Sequence, residues 1–411
     1  MFSKKPKRIY LDYASYAPRD EKLLSANKIE VLGNASAYHK EGVRAKAQLS
    51  VAREKVAKLM GSHTDEIVFT SGGTEGDNIA LLGVITNYEL QTSNENTKYV
   101  RPHIVVSAIE HSAVIETVKY LEKEGRVEIS YIPVEKNGIV DVKVFKELLK
   151  ENTILVALMY VNNEIGTIQP LAEISKIIRD FKKQKGANPM KLGSYPLLFV
   201  DACQAPNYLT INVEKLHPDI LVLNGAKIYA GAGAGVLFVR RGTPIQRIMH
   251  GGDQEGGLRS GTENVQAIHD LAVALEFSVN EIEKETKRLE ILRQYFMSLL
   301  QKTVDECKVE SILLGDIDNS VPGIVNMAFP AFSSELLVIE LDAKGIAVSS
   351  KSACKSDSPE ESHVIKALGL GISSESGSVR FSFGRWTTKS DIEKTIEALR
   401  KIFLKYKNTK Q

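Results

Sequence analysis

The stretch LVLNGAKIYAGAGAGVLFV, residues 221–239, consists of two apolar runs separated by a turn of small residues. Short apolar runs bounded by glycine predict buried strands. Lys227 is the only charged residue in this stretch. Most lysines are solvent-exposed, so the surrounding sequence must decide whether Lys227 has a chemical role or is an ordinary turn residue.

The same alternation of apolar runs and helical patterns extends from about residue 64 to residue 241. Several runs are apolar throughout, which is typical of parallel strands covered on both faces. The predicted strands are EIVFTS (66–71), HIVVSA (103–108), VEISYIP (127–133), ILVALMYV (154–161), LLFVDA (197–202), DILVLN (219–224) and GVLFVRR (235–241). Their order predicts an α/β domain with a mostly parallel, seven-stranded sheet, in which ligands bind at the carboxyl ends of the strands.

The C-terminal part of the chain has a different pattern. A helix-rich stretch is followed by the predicted strands GIVNMAF, IAVSS and SVRFSF and by a last amphipathic helix with Thr388 as its N-cap. We predict a large domain over residues 20–262 and a smaller α+β domain formed by residues 1–19 and 263–411.

The composition excludes several classes of protein. The net charge of +2 gives no reason to expect nucleic-acid or membrane-surface binding. The N-terminus has no apolar core, which predicts no signal peptide, and no apolar run is long enough to span a membrane. Three widely separated cysteines, Cys203, Cys307 and Cys354, predict neither a disulfide framework nor a metal site and favour a cytoplasmic protein.

Polar residues directly follow several predicted strands. Gly73 and Thr74 open a helix after EIVFTS, an arrangement suited to binding one phosphate, although glycine-rich turns are common. His111 follows the next strand, where a capping or core histidine is an equally good interpretation. Asn163 follows ILVALMYV within a segment that also reads as a simple turn. Asp201 ends a fully apolar strand, where an acid needs a partner.

Together these residues predict a cofactor. Pyridoxal phosphate (PLP) needs a lysine, an acid against its ring nitrogen, donors for its phosphate and a group that covers its ring. Lys227, Asp201, His111 and the Gly73–Thr74 pair each follow a separate strand. A nicotinamide cofactor fits less well, because GAGAG (231–235) precedes a strand and lacks the GxGxxG spacing.

The chain resembles the NifS/IscS-like cysteine desulfurases, which are fold-type I PLP enzymes of the class V aminotransferase family. The resemblance runs nearly from end to end. It rests on the ordered motifs IYLDYASYAP, FTSGGTEGDN, EHSAV, YVNNEIGTIQP, VDACQA, AKIYAG, GGDQEGGLRSGTENV, GIAVSSKSACKSDS and VRFSFGRWTT.

The resemblance implies the residues that hold PLP. Lys227 would form the covalent bond, Asp201 would contact the ring nitrogen, and Gln204 the phenolic oxygen. His111 would stack on the ring and assist proton transfer. The remaining cofactor contacts implied are Asn163 beside the ring, Gly73, Thr74 and Asn224 at the phosphate, and Thr262 at the phosphate of the other subunit of a homodimer.

The resemblance also implies a substrate and a nucleophile. Arg380 and Asn34 would hold the carboxylate of L-cysteine. Cys354 would take the sulfur as a persulfide, releasing L-alanine, and pass it to a protein acceptor such as an iron–sulfur scaffold or a thiolation enzyme. Lys351 and Lys355 favour the thiolate of Cys354. The alternatives are a selenocysteine lyase, a related C–S lyase and a non-catalytic homologue that serves as a binding subunit.

The sequence departs from the family pattern around the predicted lysine. Asn224 and Ala226 replace the usual serine and histidine, AGAG (230–233) replaces Gly-Pro-Lys-Gly, and Gly256 replaces an arginine. The side-chain amide of Asn224 can still donate a hydrogen bond. We expect PLP binding to be retained, with weaker phosphate binding and reduced activity.

Overall fold

A computed structural model describes residues 8–94, 100–186, 194–350, 362–371 and 377–407 of the chain. The predicted nucleophile Cys354 and its two lysine neighbours lie outside these ranges.

The described chain contains both the strands and the helices of the predicted α/β pattern. Its strands are β1 (Ile9–Tyr10), β2 (Ile67–Thr70), β3 (His103–Ser107), β4 (Glu128–Ile132), β5 (Thr153–Ala157), β6 (Leu197–Asp201), β7 (Ile220–Asn224), β8 (Gly235–Val239), β9 (Ile312–Leu314), β10 (Ile324–Phe329), β11 (Ile346–Ala347) and β12 (Gly377–Ser382). Its α-helices are α1 (Glu21–Ala26), α2 (Lys40–Met60), α3 (Gly73–Asn94), α4 (Ser112–Lys123), α5 (Val142–Leu148), α6 (Leu171–Gln184), α7 (Val213–Leu216), α8 (Val265–Cys307), α9 (Ser334–Ala343), α10 (His363–Ala367) and α11 (Lys389–Lys407).

Seven strands form the central sheet, in the order β2-β8-β7-β6-β5-β3-β4. The pairs from β4 through β7 are parallel, and β8 is antiparallel to both of its neighbours. Alternate residues of the inner strands belong to hydrophobic cores on opposite faces, such as Ile104 and Val105 of β3. The predicted mostly parallel, seven-stranded sheet is confirmed, and β3, β5, β6 and β7 end at the same edge of it.

A second core surrounds the antiparallel sheet β9-β10-β12 and the short pair β1-β11. The long helix α8 belongs to both cores: Ile268 and Leu271 pack under the central sheet, whereas Phe296 and Leu300 pack against the second core. The predicted domain boundary after residue 262 stays a prediction, because one helix is shared by the two cores.

The predicted start of the last helix is confirmed. The Thr388 hydroxyl accepts a hydrogen bond from the Asp391 N–H at 3.2 Å, and the Asp391 carboxylate accepts one from the Thr388 N–H at 3.0 Å. Among the described helices, none combines the length and the apolar character needed to cross a membrane.

The N-terminal segment after β1 connects the two cores. Leu11 packs in the second core and Ala14 packs under the central sheet. Residues 12–17 therefore pass over the edge at which the parallel strands end, and they form one wall of the candidate site.

Candidate active site

One cavity at the carboxyl edge of the central sheet collects most of the residues predicted from the sequence. Its lining includes Gly73, Thr74, His111, Asn163, Asp201, Gln204, Asn224, Lys227 and Arg380. It also includes residues that sequence reasoning did not select, namely Ala14, Ser15 and Asp77. The convergence follows from the topology, since parallel strands deliver their following residues to one edge.

Lys227 ends a 3-10 turn, Gly225–Lys227, that directly follows β7. A Cβ atom on Gly225 would lie 2.8 Å from the carbonyl oxygen of Ala234, so the tight return of the chain requires glycine here. The Nζ of Lys227 donates to the carbonyl oxygens of Ala14 at 2.8 Å and Ser15 at 2.6 Å. The lysine of the opening stretch therefore faces the cavity, held by main-chain acceptors.

Asp201, the last residue of β6, is only 6 % exposed. Its Oδ1 accepts a hydrogen bond from the Cys203 N–H at 2.9 Å. Gln204, three residues later, donates from Nε2 to the carbonyl oxygen of Ala14 at 2.7 Å. Both side chains are thus fixed by the main chain and present polar atoms to the same cavity as Lys227.

Two further carboxyls lie close to Asp201. Burial raises the pKa of Asp77 well above its ordinary value, and the charge of Asp201 raises it further. Burial also raises the pKa of Glu110 to about 8. Asp77 Oδ1 and Glu110 Oε2 have no hydrogen-bond partner among the described residues. Burial thus favours the neutral form of both carboxyls over the charged form.

Asp77 follows Gly73 by one helical turn in α3, so its position after the glycine-rich motif was the signal that could have identified it. Ligand atoms of Asp77, His111 and Asp201 all lie within 4.8 Å of one another. Such a group could hold a metal ion. The sequence-based expectation of no metal site stays a prediction.

The first turn of α3 forms the phosphate-sized corner of the cavity. A Cβ atom on Gly73 would lie 2.9 Å from Cys203 Sγ and 3.5 Å from Asn224 Nδ2. The position therefore leaves no room for a larger residue, and it places the amide of Asn224 beside the helix start. Free N–H groups at a helix N-terminus, with the Thr74 hydroxyl, suit a dianionic phosphate.

Arg380, in the middle of β12, is 2 % exposed and reaches the cavity from the second core. Its Nη2 donates to Asp12 Oδ1 at 2.9 Å and to Ser15 Oγ at 2.6 Å. Its Nη1 donates to the carbonyl oxygen of Asn163 at 2.7 Å. The Nε is buried and has no hydrogen-bond partner among the described residues. A guanidinium at the cavity wall suits an anionic ligand such as a carboxylate.

Comparisons with known proteins agree with this geometry. The aminotransferase class-V profile matches residues 9–395. This chain belongs to the class-V aminotransferase family. Such enzymes depend on PLP, and the donors in the cavity fit that cofactor: a lysine amine, a buried acid, a helix N-terminus and an imidazole.

Within the family, the chain is similar to curated cysteine desulfurases. It is 38 % identical over 403 residues to "Cysteine desulfurase IscS" of Dictyoglomus turgidum, covering 97 % of this chain and 95 % of the relative. It is 38 % identical over 393 residues to "Cysteine desulfurase IscS 1" of Archaeoglobus fulgidus, covering 95 % of both chains. A solved structure titled "NIFS-LIKE PROTEIN" superposes with a TM-score of 0.82 at 31 % identity, covering 96 % of this chain and 99 % of that one. The fold-type I architecture expected from the motifs is thereby confirmed.

Two predicted site residues lie outside the cavity of this class-V chain. Asn34 is exposed, and its Oδ1 accepts a hydrogen bond from the Ser36 N–H at 2.9 Å. Thr262 is also exposed and lines a smaller pocket with Arg259 and Asn264. Within one chain, the described structure therefore brings neither residue to Lys227, and their roles stay predictions.

The two cysteines in the described part of the chain, Cys203 and Cys307, are both buried. Cys203 lines the cavity, but burial raises the pKa of its thiol well above the ordinary value, and the nearby charge of Asp201 adds to this effect. Cys307 packs in the second core. A raised pKa makes the Cys203 thiol a poor nucleophile. The packing roles predicted for both cysteines stay predictions.

Proposed function

We propose that this protein is a PLP-dependent cysteine desulfurase that converts L-cysteine to L-alanine and carries the sulfur as a persulfide on Cys354. One observation carries the proposal: a reactive amine, Lys227, and a carboxylate receptor, Arg380, line the same cavity as the buried acid Asp201. The names of the relatives support the choice of cysteine as substrate.

The proposed cofactor contacts follow from the positions of the donors. Asp201 would face the ring nitrogen, and Gln204 and Asn163 would contact the ring substituents. His111 would cover the ring, while Gly73, Thr74 and Asn224 would hold the phosphate. When bound, PLP withdraws electrons from the α-carbon of an amino acid, which makes its proton removable.

The protein's own residues perform the remaining steps of the proposed reaction. Arg380 lines the cavity and binds the substrate carboxylate through its guanidinium, with Nη2 exchanging the Ser15 hydroxyl for the carboxylate. The amine of Lys227 removes the proton from the α-carbon and acts as the general base. Both groups contact the same N-terminal segment, so they are held at fixed positions relative to each other.

Sulfur transfer requires the thiolate of Cys354. The thiolate bonds to the substrate sulfur while the bond between that sulfur and Cβ breaks. The electron pair of the broken bond takes up a proton at Cβ, which gives the methyl group of alanine. The persulfide sulfur then passes to a protein acceptor, for which an iron–sulfur scaffold or a thiolation enzyme is the proposal.

We also propose that the active form is a homodimer. Asn34 and Thr262, the two predicted site residues outside the cavity, are exposed. Near Asn34 lie several exposed apolar side chains, Leu32 (68 %), Tyr38 (100 %) and Val43 (57 %). An apolar surface of this kind is typical of a protein interface. A second copy that covers it would place exposed residues of one chain at the cavity of the other.

The proposal is tested by incubating the PLP-loaded protein with L-cysteine and measuring alanine and protein persulfide together. The wild type should form both, whereas Cys354→Ala should keep bound PLP and form no persulfide. Release of alanine from selenocysteine but not from cysteine would favour the selenocysteine lyase. Bound PLP with neither product from either substrate would favour a non-catalytic subunit.

A further inference from the structure

Ser15, to which the sequence patterns assigned no role, contacts both reactive groups of the cavity. Its hydroxyl donates to Asp12 Oδ1 at 2.8 Å and accepts a hydrogen bond from Arg380 Nη2 at 2.6 Å. Its carbonyl oxygen accepts a hydrogen bond from Lys227 Nζ at 2.6 Å. The side chain of one residue thus reaches the guanidinium while its main chain reaches the amine.

We infer that Ser15 is a positioning residue that couples the substrate-carboxylate site at Arg380 to the reactive amine of Lys227. The inference rests on the proposed function only in that Arg380 must bind a carboxylate and Lys227 must act as a base. It does not depend on sulfur transfer or on Cys354.

The main chain around Ser15 is anchored on both sides. The Ala14 N–H donates to Ser382 Oγ at 3.0 Å, and the Ala17 N–H donates to the Ala226 carbonyl oxygen at 2.9 Å. The carbonyl of Ser15 lies between these anchors, and both the N–H and the hydroxyl of Ser15 donate to Asp12, at 3.1 Å and 2.8 Å. Removing the hydroxyl leaves Arg380 with Asp12 and Asn163 as partners, so the expected effect is local.

The coupling follows from competition for one donor. A carboxylate that binds Arg380 competes with the Ser15 hydroxyl for the N–H groups of Nη2. When the hydroxyl leaves Nη2, the Ser15 carbonyl loses one of the contacts that orient it toward Lys227 Nζ, while the Ala14 carbonyl still accepts from the amine. After the amine has taken a proton from the α-carbon, the Ala14 and Ser15 carbonyls stabilise the resulting ammonium group.

Other charged groups also face the Lys227 amine and influence its protonation. They are Asp77 from α3, His111 before α4, Asp201 at the end of β6 and Arg380 from β12, with Asp12 behind Ser15. All of them remain in a Ser15 variant, so a comparison of variants at one pH isolates the effect of the hydroxyl.

The first test measures exchange of the α-proton of L-alanine in D2O by NMR, with the PLP-loaded protein. Exchange needs the carboxylate site and the lysine base but no thiol. Ser15→Ala should slow it about tenfold, because the guanidinium and the amine lose a contact that keeps them in position relative to each other. Ser15→Thr keeps the hydroxyl and should stay within about threefold of the wild type. Ser298→Ala, on the exposed face of α8, should change nothing.

The second test uses the cofactor-free full chain and does not depend on turnover. Trinitrobenzenesulfonate labels free amines, and mass spectrometry of the peptide containing Lys227 gives its labelling rate. Lys227 should be labelled several-fold faster in Ser15→Ala than in the wild type, which is about the effect of one lost hydrogen bond. Propionate, a carboxylate without an amine, should accelerate labelling of the wild type but not of Ser15→Ala.

The outcomes separate this inference from the proposed function. Wild-type rates of alanine exchange and of Lys227 labelling in a folded, PLP-binding Ser15→Ala protein would overturn the inference. Absence of a propionate effect on the wild type would also overturn it, without the need for any variant. Proton exchange without alanine release from cysteine would instead refute the desulfurase proposal and leave the role of Ser15 intact.

Discussion

The cations and the acids around the cavity differ in their hydrogen bonds. Lys227 and Arg380 donate to carbonyl, hydroxyl and carboxylate oxygens. Asp77 and Glu110, near Asp201, each keep one oxygen without a partner among the described residues. The cations are thus held by hydrogen bonds. For the two acids, burial raises the pKa values and thereby favours the neutral form.

The difference shows how two kinds of buried charge can be controlled in one site. A cation paired with main-chain and side-chain oxygens becomes available when a ligand exchanges with those oxygens. A carboxyl that buries an oxygen without a partner favours its neutral form, because burial raises its pKa. Substrate binding should therefore act mainly on Lys227 and Arg380, which we call the cationic side of the cavity. A change of pH should act mainly on Asp77 and Glu110, which we call the acidic side.

Replacing the amine of Lys227 should have the largest effect on activity. Lys227→Ala removes both the covalent attachment of PLP and the general base, so we expect loss of the visible absorption band of lysine-bound PLP. Alanine formation from cysteine should fall by about 10³–10⁴-fold. Lys143→Ala, at an exposed position of α5, is the matched control. Turnover above about a tenth of the wild-type rate would contradict the assignment of Lys227.

Replacing the guanidinium should weaken substrate binding rather than the chemistry. Arg380→Gln removes the charge that pairs with the substrate carboxylate, and we expect KM for L-cysteine to rise about 100-fold with a smaller change in kcat. Because the variant leaves Asp12 without its cationic partner, the double variant with Asp12→Asn serves as the folding control. An unchanged KM in either protein would show that the carboxylate binds elsewhere.

The acidic side should respond to pH through Glu110. The pKa of Glu110 is raised to about 8 in the folded protein, and its ordinary value is about 4.3. Between these values the folded state binds the proton more tightly than the unfolded state, so stability falls as pH rises. Folding of the wild type is coupled to the uptake of a proton by Glu110, and Glu110→Gln lacks this coupling. The free energy of unfolding of the variant, relative to that of the wild type, should therefore rise by roughly 2 kcal/mol between pH 5.5 and pH 7.

Chemical denaturation of both proteins across that pH range measures the effect. The glutamine can still accept the hydrogen bonds that Ser107 Oγ and the Met159 N–H donate to Glu110 Oε1. Glu147→Gln, at an exposed position of α5, should show no pH-dependent gain. A constant difference between wild type and Glu110→Gln over the range would mean that Glu110 is ionised in the folded protein.

Local sequence patterns predicted most of the fold. All seven runs between residues 64 and 241 are strands, and helix α6 has the predicted ends at residues 171 and 184. The pattern did not give the order of the strands, because pairing depends on packing between distant segments. It also extended the strand of residues 154–161 too far. The strand ends at Ala157, and Asn162 Oδ1 then accepts N–H groups of a turn.

The candidate site was predictable where a residue follows a strand and unpredictable where it comes from elsewhere. His111, Asp201 and Lys227 each follow a parallel strand, so topology alone brings them together. Ser15 and Asp77 were missed for different reasons. Ser15 belongs to an N-terminal segment that crosses between two cores, a position no local pattern encodes. Asp77 lies within a helix, where an acid ordinarily faces solvent.

The smallest effect is expected at Asn224, which replaces the usual serine of the phosphate corner. Its Oδ1 accepts the Ala226 N–H at 3.0 Å, while its Nδ2 lies on the side of Gly73. A neutral donor therefore remains where the phosphate would bind. Asn224→Ser should keep the Kd for PLP within about twofold, whereas Asn224→Ala should raise it about fivefold, the effect of one neutral hydrogen bond. Equal Kd values for the alanine variant and the wild type, measured by titration of the cofactor-free protein, would show that the N-terminus of α3 binds the phosphate without help from Asn224.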